Sequence, residues 1–142
     1  MTVTPDGELP RWQLVALDCP DPLALADFYA HLTGGEVEPL GDFPRENVTW
    51  IEVTMPHGQV LGFQKVDDFR APTWPQGPVP QQLHVDFVVG DLDAGERHVL
   101  AVGATKAPFQ PGATFRVYLD PVGHPFCLVL RATPTVGGGG VG

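Results

Sequence analysis

The chain states one pattern twice, over residues 11–66 and again over 82–131, and a duplicated unit sharply limits the folds open to it. The clearest copies are two stretches, Trp50-Ile51-Glu52-Val53-Thr54-Met55-Pro56-His57-Gly58-Gln59-Val60-Leu61-Gly62-Phe63-Gln64 and Arg116-Val117-Tyr118-Leu119-Asp120-Pro121-Val122-Gly123-His124-Pro125-Phe126-Cys127-Leu128-Val129-Leu130. Each reads as strand, turn, strand. Pro56 and Pro121 stand second in their turns, where a fixed φ is wanted, and Gly58 and Gly123 stand fourth, where a free one is.

What precedes each hairpin also matches. Trp12 to Leu17 reads as a strand, stopped by Asp18-Cys19-Pro20-Asp21-Pro22. Asp21 is a candidate N-cap, Pro22 suits the first helical position, and Leu25, Phe28, Tyr29 and Leu32 form one helical stripe closed by Gly34-Gly35. Residues 36–40 suit a short strand and 41–48 a loop. In the second copy Leu83 to Val89 is the strand, Gly90 to Asp93 an acidic helix start, and Ala94 to Val102 the helix, closed by Gly103-Ala104. Residues 105–110 can supply the short strand. Between the copies, 67–81 holds Pro72, Pro75, Pro78 and Pro80 and reads as a stiff extended connector. Residues 132–142 end in a glycine run with little to bury and read as a flexible tail.

The expected class is α+β, two tandem βαβββ modules within a single domain over 1–142. One helix cannot cover both faces of a four-strand sheet. Two modules can share the burden if each lays its helix outside and the inner faces form a cup-shaped mixed sheet around a cleft. Alternation then sorts the side chains: Val85, Phe87 and Val89 lie under the helix, and His84, Asp86 and Val88 face inward. Matching the copies pairs Gln13 with His84 and Gln64 with Cys127 as equivalent inward positions. Trp50 and Phe115, near the starts of equivalent strands, either flank a ligand or pack in the core, and Trp74 either anchors the connector or covers the cleft mouth.

With these residues in place, the chain resembles the vicinal oxygen chelate superfamily, which contains glyoxalase I, bleomycin-resistance proteins and extradiol dioxygenases. The resemblance runs from Trp12 to Leu130. It is carried by Asp120-Pro121-Val122-Gly123-His124-Pro125-Phe126-Cys127-Leu128, with support from Phe28-Tyr29, Leu32-Thr33-Gly34-Gly35, Leu83-His84-Val85-Asp86 and Gly103-Ala104. It implies the paired βαβββ fold, a homodimer and, in the enzymes, a divalent metal at the four inward positions.

Those positions carry His, Glu or Gln in the family's metalloenzymes. Here only His84 is a good ligand of that kind, Gln13 and Gln64 are neutral amides, and Cys127 stands where the motif usually has Glu. The residues therefore favour a cup without a cofactor, in which Gln13, Trp50, Gln64, His84, Asp86, Phe115 and Cys127 contact a small organic ligand directly. The alternatives are a divalent metal site, with zinc on His84, Cys127 and Asp86, and an enzyme, either a metal-dependent lyase, isomerase or dioxygenase or a metal-free catalyst using His84 and Asp86 as an acid–base pair. Charge narrows the partners. Eight Lys and Arg against 17 Asp and Glu leave a formal charge of −9, which repels nucleic acid and anionic membranes. The first residues have neither the basic start nor the apolar stretch of a signal peptide, and two cysteines make no disulfide framework, so the chain reads as cytoplasmic.

Overall fold

Asp21 begins the first helix as its sequence predicts, with its carboxylate accepting the Ala24 N–H at 3.4 Å and Pro22 in the first helical position. In the computed structural model, which describes residues 9–130, helix α1 spans Pro22–Thr33 and ends where Gly34 turns left-handed at φ 76°. That conformation costs a side-chain-bearing residue more, and it lets the Gly34 and Gly35 N–H groups both reach the Ala30 carbonyl. The tail expected over 132–142 lies outside the described residues.

The chain divides into two units between Lys65 and Val66. In the first unit the strands are β1 (Val15–Cys19), β2 (Glu36–Val37), β3 (Trp50–Thr54) and β4 (Val60–Lys65), in sheet order β1-β4-β3-β2. Strand β1 runs parallel to β4, and the other neighbours are antiparallel. Helix α1 buries Leu25, Phe28, Tyr29 and Leu32, and Tyr29 stacks on Phe63 at 5.6 Å. The second unit repeats this with β5 (Val85–Val89), α2 (Leu92–Ala101), β6 (Thr105–Lys106), β7 (Phe115–Leu119) and β8 (Pro125–Leu130), in order β5-β8-β7-β6. The fold is α+β, two tandem βαβββ modules, each with one four-strand mixed sheet.

Three expectations need correction. The first strand begins at Val15 rather than Trp12 and continues through Cys19, because Cys19 is fully buried and pairs with Lys65, keeping the parallel ladder going past the acidic Asp18. The short middle strands shrink to two residues each, Glu36–Val37 and Thr105–Lys106, at the outer end of each sheet order. The connector is not extended: the Thr73 hydroxyl donates to the Val79 carbonyl and accepts the Val79 N–H, both at 3.0 Å, and Thr73 bridges Pro80. Proline stiffness here favours a closed loop over a spacer.

On its helix side the second sheet carries a charged network. The Tyr118 hydroxyl donates to Glu96 at 2.9 Å, Lys106 pairs with the same carboxylate at 2.9 Å, and Arg116 reaches Asp93 at 2.9 Å and Glu96 at 3.4 Å. The hydrogen bond from Lys106 holds the Glu96 carboxyl below the usual carboxylate range. A depressed folded-state pKa contributes stability above the unfolded value and loses it as pH falls through the folded one. Thermal melts of Glu96→Gln across acid pH should therefore show a shallower loss of stability than the wild type below roughly pH 4.3, the ordinary Glu value.

Candidate functional site

The face of the second sheet turned away from α2 is set by its ladder. Val85, Phe87 and Val89 pack toward the helix side: Phe87 meets Phe126 edge-on at 6.0 Å, and Gly95 of α2 lies against Leu128 and Val89. Alternation sends His84, Asp86 and Val88 to the other face, as the sequence predicts. In the register, Asp86 sits beside Cys127 and Cys127 beside Val117, so these three share one row of that face. Phe115 pairs with Val129 in the next row.

This row gathers donors. His84 Nε2 stands 3.3 Å from Asp86 Oδ1, and the donor atoms of His84, Asp86 and Cys127 all lie within 4.8 Å of one another. Among the described residues no second group of three His, Cys, Asp or Glu comes together in this way. Cys127 is buried, His84 half-buried and Asp86 exposed. Burial first, then the Asp86 charge and a hydrogen bond between the two, push the Cys127 thiol up to about 12, so near neutral pH it is a protonated donor and not a nucleophile.

Apolar groups frame the row. Cys127, Val117 and Ala107 form a small buried cluster, against which Trp74, Phe115 and Val129 pack. Trp74 also meets Phe109 at 5.8 Å. The connector thus carries an indole to the sheet face that holds Cys127, a placement its proline content does not announce.

The first unit has the same frame and different contents. Its ladder sets Ala16 beside Gly62 and Gly62 beside Glu52, the row that corresponds to Asp86, Cys127 and Val117. The correspondence follows from two turns of equal length, Met55 to Gln59 and Asp120 to His124, each followed by a six-residue strand. Gly62, not Gln64, is therefore the counterpart of Cys127, and Gln64 corresponds to Val129. Likewise the counterpart of His84 is Leu14 and not Gln13, since Leu14 and His84 each stand immediately before the first strand of their unit. Register decides this: burying Leu17 and Cys19 under α1 fixes which residues face away, and a one-residue slip would invert them all.

Where a Cβ would stand on Gly62, the Trp50 indole lies 2.5 Å away and Leu14 3.3 Å. The indole occupies the space that the Cys127 side chain takes in the other unit. Its Nε1 donates to Glu52 at 3.0 Å, so Glu52 joins Gln64 and Asp18 as polar groups on this face. Reading β3 by alternation from Trp50 could have found Glu52. The counterparts of the three clustered donors are thus Leu14, Ala16 and Gly62, none of which offers a side-chain ligand atom. Two surface hollows of about 540 and 410 Å³ flank α1 and share Leu23, Asp27 and Arg45, and neither is lined by a residue that the sequence marks as a ligand contact.

Comparison with known proteins agrees with this frame. A family model described as a glyoxalase-like domain matches residues 14–129. A glyoxalase/bleomycin resistance protein/dioxygenase family enzyme from Burkholderia phytofirmans PsJN is similar at 18% identity, over 83% of this chain and 96% of that one, with a TM-score of 0.58. A glyoxalase/dioxygenase from Nostoc punctiforme matches at 16% identity, 94% and 99% coverage and TM-score 0.61. The fosfomycin resistance protein FosX from Listeria monocytogenes matches at 14% identity, 89% and 95% coverage and TM-score 0.63. No curated protein matches the sequence.

Proposed function

We propose that this chain, which belongs to the glyoxalase-like domain family, is a small-molecule-binding protein whose ligand is held by direct side-chain contacts on the second module's inner row. The observation that carries this reading is the swap of donors for filler. Leu14, Ala16 and Gly62 stand at the first module's counterparts of His84, Asp86 and Cys127, so the matched oxygen and nitrogen set suited to a hard dication is missing. What remains is a carboxylate, an imidazole and a thiol framed by Phe115, Val88 and Val129, the mixture of a few convergent polar groups with apolar walls that suits an organic molecule. Trp50 and Gln64 offer a separate polar and aromatic row on the first module, and Gln13 is exposed.

A catalytic reading rests on one contact, the 3.3 Å approach of His84 Nε2 to Asp86 Oδ1. An imidazole beside a carboxylate can pass a proton to or from a bound substrate, which would make the protein a lyase or isomerase of the family's kind. The homodimer and cytoplasmic location expected from the sequence belong to the same reading. Among the described residues no helix is long and apolar enough to cross a membrane.

The test is a metabolite screen by thermal stabilisation, run in chelator. A hit at about a hundred times its dissociation constant should stabilise the protein by about 2.7 kcal/mol. Replacing Asp86 with Asn or His84 with Ala should weaken that hit at least about tenfold, the equivalent of one lost charge-assisted hydrogen bond. Turnover of the hit that vanishes in both variants would establish the catalytic reading instead, and binding unchanged in both would sink the site.

A further inference from the structure

We propose that the larger hollow beside α1 is a second small-molecule site, one that takes a zwitterion of the amino-acid type, with its acid group on Arg45 and Lys65 and its ammonium group toward Asp27 and Glu46. The hollow belongs to the first module and shares no residue with the second module's inner row, so its use as a site does not depend on the ligand reading above.

Topology makes the space. Strand β1 runs parallel to β4, Cys19 and Lys65 end the pair side by side, and Pro20-Asp21-Pro22 turns straight into α1, so the hollow opens at the carboxyl end of two parallel strands. A crevice in that place is where sheets with parallel strands commonly bind ligands. Another wall is the single 3-10 turn Arg45–Asn47, followed by the buried Val48. At about 540 Å³ the hollow falls within the range of about 300–1,000 Å³ usual for small-molecule sites, and Pro22, Leu23 and Val48 give it an apolar patch for a carbon skeleton.

Charge selects the ligand. Residues 9–65 carry three Lys and Arg, and two of them, Arg45 and Lys65, line this one hollow together with Asp21, Asp27 and Glu46. All five are exposed, and among the described residues none of the five forms an ion pair. Opposite charges line one space without closing on each other, and a molecule that bears both signs can bridge them. A simple anion meets three carboxylates and a simple cation meets two positive groups, so part of the lining opposes each. The helix end adds little for an anion, because Asp21 already accepts the Ala24 N–H and sets its own negative charge there. Nor does the fold demand the basic pair. Leu130 ends β8 where Lys65 ends β4, and the loop from β6 to β7, residues 107–114, holds no Lys or Arg where the loop from β2 to β3 carries Arg45.

The experiment titrates the full chain with each of the protein-forming α-amino acids singly, at millimolar concentration, and reads thermal stabilisation and then calorimetric affinity. At least one should bind, and its N-acetyl and amide derivatives, each lacking one of the two charges, should bind at least about tenfold more weakly. Arg45→Gln and Lys65→Gln should each weaken the parent amino acid at least about tenfold, the loss of one charge-assisted hydrogen bond. Both side chains are exposed, so neither change disturbs the core. Arg97→Gln, the same change of charge on an exposed residue of α2, should leave affinity as it is. Stabilisation by none of the amino acids overturns the proposal, as does unchanged affinity in both hollow variants. An N-acetyl derivative or inorganic phosphate that binds as tightly as the parent overturns the zwitterion. An amino acid weakened by Asp86→Asn but not by Arg45→Gln belongs to the second module's row and counts against the hollow, so either reading can fail alone.

Discussion

Phe126→Ala is expected to lower the free energy of unfolding by about 3–5 kcal/mol, the cost of deleting a buried aromatic from a core that cannot fully collapse around the gap. Phe126 has no exposed surface, lies stacked on Tyr118 at 5.7 Å and meets Phe87 edge-on at 6.0 Å. It therefore joins three strands, β5, β7 and β8, on the side that α2 covers. Removing it loosens the β5–β8 ladder one position from Cys127. Urea denaturation followed by circular dichroism should show the midpoint fall, and a loss below about 1 kcal/mol would mean that the aromatic cluster is not the core of this module. Since whole domains are stable by only about 5–15 kcal/mol, a loss at the upper end removes about a third or more of that stability.

Asp120→Ala should cost about 2–4 kcal/mol by a different route, since charge-assisted hydrogen bonds are lost and their donors left unpaired in a closed turn. One oxygen of the buried Asp120 carboxylate accepts the N–H groups of Val122, Gly123 and His124, each at 3.0 Å. The turn's backbone also closes on itself, with Asp120 N–H to the His124 carbonyl at 2.9 Å. Asp120→Asn keeps an acceptor in the same place and should recover at least half of the loss. Equal damage from both variants would show that charge, not acceptor geometry, holds the turn. The companion turn has Met55 where this one has Asp120, and Met offers no such acceptor, so the corresponding change there should be nearly neutral.

Much of the architecture was legible because local chemistry and global fold agree. Asp21, Pro22 and Gly34 announce the limits of α1, and the Pro and Gly positions of the two turns announce both hairpins. Alternation placed His84 and Asp86 on one face and Phe87 on the other without knowledge of the partners. Alignment of the two copies was harder. Aligning the first strands and alternating inward from Phe63 and Phe126 pairs Gln13 with His84 and Gln64 with Cys127, yet the ladder makes Leu14 and Gly62 the counterparts. The polar residues mislead, because the positions that correspond to the donors hold Leu14, Ala16 and Gly62. Trp50 illustrates the limit from the other side. Its indole lies over Gly62 only because Gly62 has no side chain, a relation between two strands that neither residue signals alone. The path of the connector was equally hidden, since Thr73 closes it through a hydroxyl and proline content gives only stiffness.

The parallel pairing of β5 with β8 also sets an order in time. The β7–β8 hairpin closes across a five-residue turn, an event on the scale of about 1–10 μs, whereas β5 can dock only after the chain has passed through α2, β6 and that hairpin. His84 and Asp86 are therefore the last to meet Cys127, and a module opened at β5 presents Cys127 without its companions. Anything that grips Asp86 and Cys127 together clasps the last strand to join. Its main effect should fall on the rate of unfolding, not on the rate of folding, so that occupancy becomes a latch on the finished module.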